Sequence, residues 1–389
     1  MDAISRALTS IPAAYHWPLE FCAFSTAATW ILSIITFNVS QVDRVWTFLP
    51  TIYTAYYALL PLWPQEPLFP LCPYTPKALG WVVATDFSPR AVLMFGLVFV
   101  WMCRLSYNTH RRGLFNSQDE DYRWAVLRSQ LPPWLFQIVN LTFIAAIQNI
   151  LLLLLGLPTK VASTVQPHTA LTTSDILLAG LAFVVLALEF TADNQQYSFH
   201  AYKHACLAAE KGRVESYDEK KQWPGARLKW TPEDAKRGFV TKGLWAYTRH
   251  PNFACEQSFW WIINLIPLLS PSPPDLVSQS LDSLSLLPSP STVIHEFPHA
   301  LYPFLYEIFN PLVNILPALA LTALFFSSST YTEAITASKY SQYKTYQERV
   351  GMFQFTETCM KGAWLAWKGR KAEVDAALWG KEEKVEKED

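Results

Sequence analysis

The chain has 389 residues, with 31 Lys and Arg against 32 Asp and Glu and a formal net charge of −1. Charged residues make up 16%, aromatics 15% and AVILMFWYC residues 51%, whereas a soluble domain carries about 25% charged residues. These proportions exclude a disordered chain, a nucleic-acid binder working through global basicity and an ordinary soluble globule, and leave a polytopic membrane protein.

A spanning helix needs roughly 20 mostly apolar residues. Seven segments qualify: about 19–37, 44–63, 89–107, 133–157, 174–192, 252–270 and 303–326. The expected fold is therefore all-α, a polytopic transmembrane helical bundle of about seven spans. The first apolar stretch starts near Leu19, after Pro12 and Pro18, so the N-terminus does not read as a cleavable signal. Pro50, Pro61 and Pro64 interrupt the second span, and membrane helices tolerate Pro where neighbours satisfy the freed backbone groups. Residues 64–88 are Pro-rich and read as an ordered loop. The fourth span ends in Ile150 to Leu155, and its Gln148 and Asn149 suit hydrogen bonds between helices. Residues 271–300 are Ser/Pro-rich and low in complexity. Beyond Ala363, Trp364, Trp367, Val374, Leu378 and Trp379 are interleaved with Lys and Glu. That pattern suits an amphipathic helix on the membrane surface or a solvated charged tail.

The near-neutral total hides an asymmetry. Arg111, Arg112, Arg123 and Arg128 fall between spans three and four, eleven Lys/Arg between spans five and six, and ten after span seven. The alternate segments are almost empty, with Arg6, Lys77 and Lys160, and residues 271–302 carry no Lys or Arg. Seven spans place every basic segment on one side, which the positive-inside rule makes cytosolic. The C-terminus is then cytosolic and the N-terminus outside. The sequons at Asn38 and Asn140 fall on the cytosolic side and inside a span, and read as chance matches. The six Cys form no C-x-x-C, so neither a zinc knuckle nor a thioredoxin-like motif is available.

Five clusters bear on chemistry. His295-Glu296-Phe297-Pro298-His299 matches H-E-x-x-H in letters only. Zinc binding needs both His on one face of a continuous helix, which Pro298 opposes, so no metal is expected. Arg249-His250-Pro251-Asn252, with Glu256 and Trp260-Trp261, lies where a basic loop enters the sixth span. Pro251 suits a first helical turn, whose N–H groups together with Arg and His favour a phosphate. Glu256 inside a span is a functional candidate by default; interfacial anchoring is the plain alternative. Glu189 to Gln196 offers acceptors and amides suited to ribose hydroxyls or an adenine edge, or simply a polar helix end. Arg104, Asn108, Arg111 and Arg112, followed by Glu120 to Trp124, could receive a di- or triphosphate, or Arg104 could snorkel. Tyr340, Tyr343 and Tyr346 recur every three residues, along one side of a helix, where they could stack on a base or sit at the interface. Neither G-x-G-x-x-G nor G-x-x-x-x-G-K-[ST] occurs, so any nucleotide must be held by the spans and their loops.

In this order the clusters resemble the membrane family related to steroid 5-alpha-reductases, in the branch sharing the C-terminal reductase domain. The resemblance rests on Trp101–Leu105 with Glu120–Trp124, Asp193-x-Gln195, Lys242–Glu256 with Trp260-Trp261, and Glu333 with Tyr343 and Tyr346. It covers roughly residues 95–356, and the chain is expected to divide into an N-terminal transmembrane hairpin and lumenal loop at 1–88, a reductase-like membrane domain at 89–356 and a charged cytosolic tail at 357–389. It implies NADPH bound from the cytosolic side, and reduction of a carbon–carbon double bond conjugated to a carbonyl in a lipid taken from the bilayer. By the same resemblance Arg104, Arg112, Asp193, Gln195, Arg249, His250, Asn252 and Tyr343 would bind the cofactor. Glu256 would line that site and is taken as a catalytic candidate. Tyr53, Tyr56, Tyr57 and Tyr107 are candidate carbonyl donors by position. Endoplasmic reticulum is the compartment the resemblance implies. Phe253 and Ala254-Cys255 stand where Tyr, an aromatic and Gly are common in the family. Isoprenylcysteine carboxyl methyltransferases share an R-H-P-x-aromatic block and a late Glu but use S-adenosylmethionine, and a non-catalytic family member is a third possibility. Asp193-x-Gln195 and Trp260-Trp261 favour the reductase branch.

Overall fold

The computed structural model describes residues 11–213, 216–274 and 313–380. All regular structure among them is helical. The described residues of Met1–Phe183 and Trp260–Thr322 form one compact unit, and those of Val184–Phe259 and Ala323–Asp389 a second.

Four helices are long and apolar enough to cross a membrane: α1 (Ala13–Thr36), α2 (Pro89–Arg111), α3 (Pro133–Thr164) and α4 (Thr173–Glu210). The chain is thus an integral membrane protein, and these four match expected spans one, three, four and five. The second expected span is not a continuous helix. Gln41–Val45 and Leu49–Ala58 have five and ten residues, and Pro61 follows the second. Ten residues rise only about 15 Å, half the hydrocarbon thickness. The sixth expected span is α5 (Pro251–Leu268), which carries Asn252, Glu256, Gln257 and Asn264 and is not among the four. The seventh lies partly outside the described residues; α6 (Leu316–Lys339) covers its end.

In the first unit, polar side chains tie helices together within an apolar environment, where the alternative is an unsatisfied group. Asn149 Nδ2 donates to Thr29 Oγ1 at 3.2 Å, and Asn140 Nδ2 to Ser33 Oγ at 2.8 Å. Between these two contacts α3 widens into a π-helical stretch, Asn140–Ile147. At Gly156 a Cβ would lie 2.6 Å from the Tyr53 Cβ, so the Leu49–Ala58 helix rests directly on this position. The sequon at Asn38 serves the fold: its amide donates to the carbonyls of Ser117 and Asp119 at 3.2 and 3.0 Å, and the residue is buried.

The loop after α2 is a clasp. Arg44 Nη2 donates to the carbonyls of Asn116 and Asp119, Trp124 Nε1 to Asp43, and Arg128 makes two bonds to Glu120. Arg123 pairs with Asp121 at 2.8 Å. Arg123, in the cluster read as a possible phosphate mouth, is thus engaged by Asp121, and Arg128 beyond that cluster by Glu120.

A deeply buried ion pair of this unit is the fork between Arg90, at the start of α2, and Asp175, at the start of α4. Nε and Nη2 donate to the two carboxylate oxygens at 2.9 and 3.0 Å, with both side chains almost fully buried. Gln166 accepts from Arg90 Nη1 at 3.4 Å and donates to the Pro267 carbonyl and Ser270 Oγ at 2.7 Å. Removing one partner of a buried pair leaves the other charge uncompensated, a cost of about 3–5 kcal/mol. Arg90→Ala is therefore expected to lower the thermal midpoint in detergent far more than loss of the exposed Lys77–Glu66 contact. Thermal unfolding followed by size-exclusion chromatography measures both.

Candidate functional site

The described part of the second unit is built around α6, α7 (Tyr343–Arg349), α8 (Phe355–Trp367) and α9 (Lys371–Trp379). Phe239, Tyr343, Tyr346, Val350, Leu365, Val374 and Leu378 form one apolar cluster of this unit. Two expectations change here. Tyr340, Tyr343 and Tyr346 do not lie on one helix, because α6 ends at Lys339 and α7 begins at Tyr343. The region expected as a tail from 357 contains two helices that pack into the cluster, and Trp379 Nε1 donates to the Thr241 carbonyl at 2.9 Å.

One carboxylate organises the polar face of this unit. Glu333, late on α6, accepts from Arg249 Nε at 2.6 Å, His250 Nε2 at 2.9 Å and Tyr343 Oη at 3.2 Å through Oε1. Its Oε2 accepts from Arg249 Nη2 at 3.0 Å and Gln347 Nε2 at 2.8 Å. An ionised carboxylate offers about four lone-pair sites, so Glu333 is saturated. Burial by itself would raise its carboxyl, but the bonds from His250 and Arg249, and the Arg249 charge, outweigh it and bring the pKa to about 2. A carboxylate only accepts, so the proton on His250 sits on Nε2 and Nδ1 is the nitrogen left for another partner.

Arg249 is braced on its remaining side by the carbonyls of Val350 and Gln347. Residues 350–352 run beside the block: Arg249 N donates to the Gly351 carbonyl at 2.8 Å and His250 N to the Met352 carbonyl at 3.1 Å. Thr358 Oγ1 closes the strap, donating to the Tyr247 carbonyl at 2.6 Å and accepting from Gly351 N at 2.7 Å. Arg249 therefore acts in this structure as a brace for His250. His250 stacks on Phe253, with ring centroids 5.7 Å apart and 11° between planes.

The other expected residues fall into smaller groups. Asn252 Nδ2 donates to Asp193 Oδ1 at 3.2 Å, both buried. Gln195 is engaged by backbone, donating to the Gly225 carbonyl at 2.9 Å and accepting from Leu244 N at 2.8 Å. Gly243 makes this possible: its φ is +66°, and a Cβ would lie 2.5 Å from Gln195 Oε1. Glu256 is buried one turn beyond Asn252 on α5. Tyr343 is enclosed, its ring edge-on to Phe239 at 4.9 Å, and its hydroxyl meets Glu333. The structure thus gives it a role as a donor to Glu333 within the core, where stacking on a base was one expectation.

Arg104, Tyr107 and Arg112 belong to the first unit. Arg104 is buried on α2, Tyr107 is half exposed with the Arg111 guanidinium 5.2 Å from its ring centroid, and Arg112 closes α2. Among the described residues no group of three His, Cys, Asp or Glu is placed to hold a metal ion. The H-E-x-x-H letters lie outside the described residues.

Sequence reading named Glu333 among the residues of the resemblance without assigning it a role, and missed Gln347 and Thr358. Gln347 had a signal, since it stands four residues after Tyr343 and so on the same helical face. Thr358 had none.

Beside the Arg249–Asn252 block lies an apolar groove of about 340 Å³, lined by Leu188, Leu244, Tyr247, Pro251, Cys255 and Phe355 among others. It is at the small end of the range for ligand pockets, about 300–1,000 Å³.

The lowered pKa of Glu333 fixes a pH dependence. Its carboxylate contributes stability fully above the ordinary value near 4.5, and that contribution is lost as pH falls from there through about 2. Glu333→Gln is expected to lower the thermal midpoint at pH 7 and to flatten its acid dependence between those values. A midpoint titration of both proteins checks it, and a parallel slope would contradict the assignment.

The family described as "Protein of unknown function (DUF1295)" matches residues 29–273. An uncharacterised protein of Schizosaccharomyces pombe is 28% identical over 324 residues, covering 83% of this chain and 74% of that protein. No solved structure matches. The matched range contains the Asp193–Gln195 and Arg249–Glu256 segments, whereas Glu333 and Tyr343 lie beyond it. The chain belongs to the family described as Protein of unknown function (DUF1295).

Proposed function

We propose that this protein is an NADPH-dependent membrane reductase of the endoplasmic reticulum, acting on a carbon–carbon double bond conjugated to a carbonyl in a steroid or other lipid. The observation that carries the reading is the placement of His250 and Asn252 at the head of α5, held by Glu333 and Asp193, beside an apolar groove. A donor set of imidazole and amide with a buried carboxylate suits ribose hydroxyls and a carboxamide. NADPH would supply the hydride. Glu333 fixes the imidazole ring, Asn252 holds Asp193, and the apolar walls exclude water from the reacting lipid. The proposed topology keeps the basic segments and the C-terminus on the cytosolic side.

One observation favours a second reading, an S-adenosylmethionine-dependent methyltransferase. Arg249, the expected phosphate ligand, is engaged by Glu333 and by backbone carbonyls, and the neighbouring groove is small and apolar. Both features suit a cofactor without phosphates.

A paired ligand test separates the two. Purified protein in detergent is expected to gain thermal stability with NADPH and not with S-adenosylmethionine, since a ligand that binds only the folded state stabilises it. His250→Ala is expected to weaken NADPH binding by on the order of tenfold, about 1.4 kcal/mol. A shift with S-adenosylmethionine alone would overturn the reductase reading.

A further inference from the structure

Helix α8 has two unlike faces. Thr358, Gly362 and Leu365, spaced four and three residues apart, are buried against the rest of the second unit. At Gly362 a Cβ would come within 3.1 Å of Arg349 Nη1, so this face is packed tightly. On the other side Met360, Trp364 and Trp367, again spaced four and three apart, are 72%, 54% and 76% exposed. The two indole rings lie 5.0 Å apart. The charged residues of α8 are Glu357 and Lys361, which pair with each other at 2.7 Å. Lys368 follows at the end of the stripe, its ammonium 4.6 Å from the Trp364 ring centroid, and Lys371 opens α9.

The structure thereby divides a run of hydrophobic residues that the sequence shows as one. Val374 and Leu378 point into the core and Trp379 is tied to Thr241. Met360, Trp364 and Trp367 are left outside. A large exposed apolar face marks an interaction surface.

We propose that this face lies in the headgroup–acyl boundary of the bilayer in which the chain is embedded, with Lys368 and Lys371 toward anionic headgroups. Three features select a lipid surface. Tryptophan is the residue most at home at that boundary, with an apolar ring and one polar N–H. An exposed lysine whose ammonium lies over an exposed indole, as Lys368 does on Trp364, has the form of an interfacial side chain. An apolar stripe ending in cations is the pattern of helices that lie in the membrane plane. The spans of the same chain hold α8 near a bilayer at high local concentration, so each modest contact counts.

The test uses the full chain in vesicles of phosphatidylcholine and phosphatidylserine, with p-benzoylphenylalanine placed singly at Met360. Position Ile35 of α1 is the control for hydrocarbon and exposed Glu373 of α9 the control for water. After irradiation the Met360 protein is expected to gain the mass of one phospholipid, as the Ile35 protein does, while the Glu373 protein does not. A chain-to-chain cross-link at Met360 in place of a lipid adduct would overturn the proposal in favour of a second copy. Absence of an adduct at Met360 while Ile35 is labelled would overturn it outright. The substitutions fall on exposed side chains, so folding is preserved and is checked by monodispersity.

Discussion

The second unit depends on one carboxylate with five donors. Glu333 draws Arg249 and His250 from the entry to α5, and Tyr343 and Gln347 from α7, onto a single side chain. Such a node is sound only when every member is satisfied, because a partly satisfied buried network is worse than an apolar core. Here the lone pairs of Glu333 are filled and the far side of Arg249 meets backbone carbonyls. The consequence is orientation. His250 is held by an ion whose own geometry is fixed by a forked guanidinium, and its ring is pressed against Phe253. His250 thus has its rotamer locked on rigid elements, which is the condition a ligand-binding side chain requires.

The same logic runs in the first unit with different residues. Arg90 and Asp175 fork together at the starts of two spanning helices, and Gln166 links them to the end of α5. Asn140 and Asn149 bond α3 to α1. In hydrocarbon the apolar effect does not draw helices together, so close packing at Gly156 and such polar contacts carry the association.

Much of the fold was legible. Four spans stood out by length and apolarity alone, and Asn149 was identified as a contact between helices. The second expected span is divided into two short helices, Gln41–Val45 and Leu49–Ala58; its Pro residues were visible, but the sequence does not show where the helix breaks. The site was legible by residue type and not by role. Arg249 and Tyr343 carry chemistry suited to a phosphate and a base, but their shared partner Glu333 stands 84 and 10 residues away from them, and no spacing reveals that convergence. Gln195 was read as a ligand donor, and its engagement depends on the left-handed backbone at Gly243. The face of α8 was ambiguous for a similar reason: only packing decides which of Trp364, Trp367 and Trp379 turns inward.

The central claim is that the block fixed by Glu333 holds NADPH. Hydrogen–deuterium exchange of the full chain in detergent tests it most directly, read on peptides covering 247–257 and 343–352, with NADPH and with S-adenosylmethionine. The account predicts added protection of both segments with NADPH alone. Protection there by S-adenosylmethionine only, or exchange in these segments unchanged by NADPH at saturating concentration, would contradict it.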